Sequence, residues 1–73
     1  MYLKNINLIN SIRACKNEMN ERLYRTMLAK AYVLFYAQKY ENRNRIMYAV
    51  NRDLEKEGLK YISYMFITST LKY

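Results

Sequence analysis

Apolar residues in the first half of the chain recur at three- and four-residue intervals. Leu8, Ile12, Cys15, Met19, Leu23 and Met27 lie four, three, four, four and four positions apart, the spacing that aligns side chains on one face of an α-helix. The chain has no proline, and its single glycine is Gly58. No strong breaker therefore interrupts residues 1–57. The pattern predicts one helix from about residue 7 to residue 40. A break near residues 17–20 is the alternative, because Asn17 or Asn20 can cap a new start there.

Within that stretch, residues 23–37 are apolar on most sides. Tyr24, Leu28, Ala31, Tyr32 and Phe35 share a face, Leu23, Met27 and Leu34 extend it sideways, and Arg22, Thr26 and Lys30 mark the polar strip. A helix apolar over most of its circumference is covered from several sides. In so short a chain the cover is expected from a second subunit.

A further helix is predicted at residues 44–57. Asn42 or Asn44 suits its N-cap, and Ile46, Met47, Val50 and Leu54 form its inner face. Gly58 suits the left-handed position that ends a helix, with Leu59 packing back. Asp53, Glu55 and Glu57 sit at the C-terminal end, where the helix dipole disfavours them. Their placement suggests pairing with cations on another segment.

After Gly58 the pattern changes. In residues 60–69, Ile62, Tyr64, Phe66 and Thr68 alternate with Ser63, Met65, Ile67 and Ser69, rich in β-branched and aromatic types. This predicts a C-terminal strand-like segment. Such a strand needs a partner, from the N-terminal residues or from another subunit. Tyr61, Met65 and Thr68 also fit a helical spacing. The fold class expected is mainly α: two or three helices plus this strand-like segment, in a small single domain that is dimeric.

Composition sharpens this picture. A chain of 73 residues buries little core and commonly gains stability from a disulfide, a metal or a partner subunit. Cys15 is the only cysteine and histidine is absent, which removes an intrachain disulfide and leaves a poor ligand set for zinc. A homodimer is the remaining route. A single cysteine also fits a reducing compartment, with Cys15 read as a small buried apolar residue. The opening "MYLKNINLIN" lacks the continuous apolar region of an export signal. The longest apolar run, residues 31–37, falls far short of the ~20 residues that span a bilayer. A cytoplasmic location is expected.

The formal charge is +7, from thirteen Lys and Arg against six acids. Such an excess favours anionic partners: nucleic acid, acidic protein surfaces or anionic lipid. The bland reading is a solubility surplus.

Four of the thirteen cations, Lys39, Arg43, Arg45 and Arg52, share "KYENRNRIMYAVNR", residues 39–52, with one acid, Glu41. On a helix of residues 44–57, Arg45, Arg52 and Lys56 project within ~40° of one another, with Tyr48 at the edge of that strip. Arg43 and Lys39 extend the basic surface, and Asn44 and Asn51 lie on the same outer half. Lys and Arg along a helix can follow phosphates, and an exposed tyrosine can stack on an unpaired base. The bland reading is a solvated face laced by Glu41–Arg45 and Arg52–Glu55 pairs.

Enzyme readings fare worse. The commonest acid–base residue, histidine, is missing, and no glycine-rich phosphate loop exists. Asp53 and Glu57, four apart, offer only two carboxylates on one exposed helix. No catalytic residue, metal or cofactor is expected. The zinc-finger, helix-turn-helix, KH and RNP signatures are absent too.

In style, short and rich in Asn, Lys, Ile and Tyr, the chain is similar to the small accessory proteins of large tailed phages. That resemblance implies a host-directed role, in the host cytoplasm, without marking any residue. The function expected is nucleic-acid binding, RNA ahead of DNA, through Arg45, Tyr48, Arg52, Lys56, Arg43 and Lys39. The alternative is an accessory protein that inhibits a host enzyme or defence nucleoprotein by contacting an acidic surface.

Overall fold

A computed structural model describes the backbone of residues 2–72 and the side chains of residues 6–72. Among the described residues four α-helices follow one another: α1 (Tyr2–Ala14), α2 (Glu21–Ala37), α3 (Arg43–Lys56) and α4 (Tyr64–Leu71), with a 3₁₀ turn at Lys16–Glu18. No strand forms among the described residues.

The predicted long helix is two helices. The Cys15 N–H bonds back to the Ile12 carbonyl at 3.0 Å, and the Glu18 N–H to the Cys15 carbonyl at 2.9 Å, tightening the chain out of the α geometry. Met19 is extended, and the Asn20 side chain then accepts the Leu23 N–H at 2.8 Å to start α2. The Asn20 cap anticipated as the alternative is thus the one used. An unbroken helix of this length would reach roughly 50 Å and leave its apolar sides in water. Folding back lets Ile9 and Ile12 of α1 cover α2.

The apolar stripe read from the sequence is only partly the seam. Ile12 is buried, whereas Leu8, Leu23 and Met27 remain exposed. The inner face of α2 is Tyr24, Leu28, Ala29, Ala31, Tyr32, Val33 and Tyr36. Its cover is intramolecular: α1, α3 and α4 all supply buried residues to one core cluster. A second subunit is not required to bury α2, contrary to the sequence-based expectation. Phe35, assigned to the same face, is half-buried.

In α3 the Asn42 side chain accepts the Asn44 and Arg45 N–H groups at 2.8 and 3.2 Å. Ile46, Ala49, Val50 and Leu54 are buried and Met47 is half-buried. The helix ends as expected. Gly58 has φ +73°, its N–H bonds to the Glu55 carbonyl, and the Leu59 N–H bonds to the Leu54 carbonyl, both at 3.0 Å. This six-to-one and five-to-two pairing caps the carbonyls of the last turn, and Leu59 packs into the core.

The C-terminal segment corrects the fold class: residues 64–71 are helical, not strand-like, and the chain is all-α over the described residues. A lone strand would leave its backbone groups unpaired, whereas a helix pairs them internally. Ser63 begins α4 by accepting the Phe66 N–H at 3.3 Å. Ile67 is wholly buried, with Phe66 and Leu71 packed beside it. Residues 59–62 reach α4 in an open connection held from two sides. Arg25 donates to the Lys60 and Tyr61 carbonyls, and Asn51 brackets Ile62, accepting its N–H at 2.7 Å and donating to its carbonyl at 3.2 Å.

Candidate nucleic-acid interface

The outer face of α3 carries Arg45, Tyr48 and Arg52, all exposed. Asn42 fixes the first turn, so Arg45 leaves the helix beside the end of α2. There its guanidinium lies 5.2 Å from the ring centre of Tyr40. Tyr40, Asn42, Asn44, Arg45, Tyr48, Ala49 and Arg52 line a surface pocket of about 390 Å³. Tyr48 is an exposed wall of it, with 74% of its surface in water.

Tyr40 ends an aromatic ladder along α2. Tyr32 and Tyr36 stack with centroids 6.4 Å apart, and Tyr36 and Tyr40 at 6.0 Å with planes only 7° apart. The ladder runs from the core to the pocket. Its four-residue spacing was visible in the sequence, but Tyr40 was not singled out, because it lies beyond the apolar run. Tyr61, also missed, reaches the far side of Tyr48 only through the connection before α4.

The predicted cations do not form one set. Arg45 and Arg52 share the pocket. Lys39 stands at its margin, its ammonium about 6 Å from the rings of Phe35 and Tyr40. Lys56 lies outside the pocket lining, a turn beyond Arg52. Arg43 turns towards α4, where it approaches the Thr68 hydroxyl at 3.5 Å, away from the strip. Asn51, expected to offer hydrogen bonds outward, is engaged with Ile62. Of the bland surface pairs, neither Glu41–Arg45 nor Arg52–Glu55 forms among the described residues. The ion pairs there are Arg13–Glu57 at 3.2 Å and Arg52–Asp53 at 3.7 Å.

Arg52 is anchored as well as exposed. Its Nη2 donates to the Tyr36 hydroxyl at 3.3 Å, and that hydroxyl donates to Asp53. The acids at the end of α3 meet chiefly tyrosines. Tyr24 donates to Glu57 and Tyr61 to Glu55, each at 2.8 Å. Cations join at two of the three, Arg13 on Glu57 and Arg52 on Asp53. Burial, then the bonded carboxylate, pushes the Tyr24 and Tyr36 hydroxyls up to about 12. Burial raises Tyr32 to about 12 as well. The Tyr24 and Tyr36 hydroxyls therefore stay protonated and donate to Glu57 and Asp53 beside the arginines that pair with the same carboxylates.

The face therefore offers two guanidinium groups, two tyrosine rings and two asparagines in one shallow concavity. Guanidinium groups bind phosphate oxygens in paired fashion, and aromatic faces accept stacked bases. Among the described residues no group of three Cys, Asp or Glu side chains gathers as a metal site. No described helix is long and apolar enough to cross a membrane. No protein-family model, curated protein or solved structure matches the chain, so the role of the α3 face rests on its own chemistry.

Proposed function

We propose that the chain is a non-enzymatic protein that binds single-stranded nucleic acid, RNA ahead of DNA, with the outer face of α3. The observation that carries this reading is the pocket in which Tyr40, Arg45, Tyr48 and Arg52 converge, on a chain of net charge +7. Arg45 rests against a ring instead of a carboxylate, which leaves its N–H groups available to an anion. Single strands are favoured because Tyr48 stands out from a convex helix, where an unpaired base can reach its face. A mobility shift with single-stranded RNA and a matching duplex, across a salt series, tests it. Binding that prefers the single strand and weakens steeply with salt supports the reading. No binding at about 50 mM salt overturns it.

The same guanidinium groups suit carboxylates, so an acidic protein surface, as on a host enzyme or defence nucleoprotein, is the second reading. Nuclease treatment before a pull-down separates the two: one defined protein retained after digestion favours the protein partner.

Self-association in the cytoplasm belongs to the same proposal, moved from the buried aromatic face of α2 to its exposed Leu23–Met27 flank. The contact we propose is the mostly apolar groove beside the α1–α2 turn, lined by Ile12, Cys15, Met19 and Met27 with Ser11 and Glu18, on a molecule that also exposes Leu8 and Leu23. A second copy fits it because small chains commonly gain apolar burial by pairing. Sedimentation should show a dimer that Leu23→Lys dissociates.

A further inference from the structure

Tyr48 separates two grooves of different chemistry. On its other side lies a groove of about 360 Å³ lined by Met47, Tyr48, Asn51, Glu55 and Tyr61, with Asn44 and Arg52 at the shared edge. Two exposed tyrosines wall it, Tyr48 and Tyr61, with half-buried Met47 between. Arg45 takes no part in this lining. Asn51 contributes shape only, since its amide is engaged with Ile62.

Glu55 gives the groove its character. Its Oε1 accepts the Tyr61 hydroxyl at 2.8 Å, which fixes the carboxylate beside Tyr61 in the groove that Tyr48 also lines. A carboxylate repels phosphate, so this groove does not suit the nucleic-acid backbone that the Tyr40–Arg45 side suits. A carboxylate is acceptor-only, with about four lone-pair sites, so it still accepts two further N–H groups after bonding Tyr61. Among the four RNA bases, guanine alone presents two adjacent N–H donors, N1–H and the 2-amino group, on its Watson–Crick edge. Uracil presents one N–H flanked by two carbonyls, which would face the carboxylate unfavourably. Cytosine and adenine each set a ring acceptor beside their amino group.

We infer that the Tyr48–Tyr61 groove takes a guanine base of the single strand, and that Glu55 is the residue that selects it. This inference rests on the nucleic-acid reading of the α3 face. The strand's phosphates lie on the Arg45 side of Tyr48, and its base on the Glu55 side.

Fluorescence anisotropy with three labelled RNA octamers tests it: all uridine, uridine with one central guanosine, and uridine with one central inosine, which lacks the 2-amino group. The guanosine octamer is expected to bind roughly tenfold tighter than the uridine octamer, the low end for a paired base contact, with inosine between. Glu55→Gln, at an exposed position, replaces one acceptor with a donor and should abolish that ranking; the ratio of guanosine to uridine binding is the readout, because loss of a carboxylate that repels phosphate strengthens all three octamers together. Arg45→Glu should weaken all three octamers alike and keep the ranking. Equal binding of the three octamers by the wild type, or a ranking unchanged in Glu55→Gln, overturns the guanine assignment and leaves the nucleic-acid reading standing. Failure of every octamer to bind at about 50 mM salt overturns both.

Discussion

Tyr36, near the end of α2, donates its hydroxyl to the Asp53 carboxylate of α3. The ring belongs to the buried aromatic ladder, while the hydroxyl also accepts from Arg52 at the edge of the surface pocket. One side chain thus links the core to the cationic face. Tyr36→Phe keeps the ring and leaves Asp53, largely buried, without its neutral donor. It should cost about 1–2 kcal/mol in urea unfolding. In a double-mutant cycle with Asp53→Asn the two losses should be clearly non-additive; strict additivity would contradict the pairing.

The raised hydroxyls set an alkaline limit to stability. Tyr24, Tyr32 and Tyr36 lie at about 12 in the fold, against an ordinary 10.0. Between those values the folded chain holds protons that the unfolded chain has lost, so stability falls as pH rises. Their contribution is complete below pH 10 and disappears as pH passes from about 10 towards 12. Denaturant midpoints should hold steady up to pH 9 and drop steeply above pH 10. An ultraviolet titration should show at least these three of the nine tyrosines ionising late or only on unfolding.

Charge reversal separates Arg45 from Arg52. Among the described residues the Arg45 guanidinium forms no ion pair and lies over the Tyr40 ring, so Arg45→Glu should leave the melting temperature nearly unchanged. Each lost phosphate contact should reduce the salt slope of binding by about one. Arg52→Glu places a carboxylate beside Asp53 and should destabilise the fold measurably. Tyr48→Ala should weaken binding by about 1–3 kcal/mol if a base stacks there, with little change in slope. Equal loss of stability in Arg45→Glu and Arg52→Glu would contradict the anchoring of Arg52.

Helix α4 makes opposite demands on two neighbours. Ile67 is wholly buried and Met65 is 79% exposed. Ile67→Ala should cost about 2–4 kcal/mol, while Met65→Ala should stay within about 0.5 kcal/mol. In a strand these two positions would share a face and respond alike. Thermal melts of the two variants distinguish the arrangements.

Gly58→Ala isolates a backbone effect. No atom lies within 4 Å of where a Cβ would stand, so the substitution clashes with nothing. The left-handed φ of +73° remains costly for any residue with a Cβ. A loss of about 1 kcal/mol is expected in urea unfolding, with the helix content unchanged by circular dichroism.

What the sequence by itself determined is local. Gly58 as the left-handed stop, Leu59 packing back and the Ile46–Val50–Leu54 face all depend on residues a few positions apart, and all stand in the structure; the N-cap was narrowed to Asn42 or Asn44, of which Asn42 is used. The Asn20 cap was legible as an option and no more, because whether a helix breaks there depends on what its apolar sides can reach. The candidate face was legible as a strip of Arg45, Arg52 and Lys56 with Tyr48 at its edge, by helical periodicity alone; of these, Arg45, Tyr48 and Arg52 line the pocket and Lys56 does not. Only the tertiary structure decided the rest. It made residues 64–71 a helix, since alternation describes a face but cannot supply the partner strand that a sheet needs. It covered α2 from within the chain, because chain reversal near residues 15–20 brings α1 onto it. It added Tyr40 and Tyr61 to the face, turned Arg43 to Thr68 and paired Glu57 with Tyr24, 33 residues away. Those partners are set by how elements pack in space, and sequence spacing carries no record of a neighbour that only folding brings near.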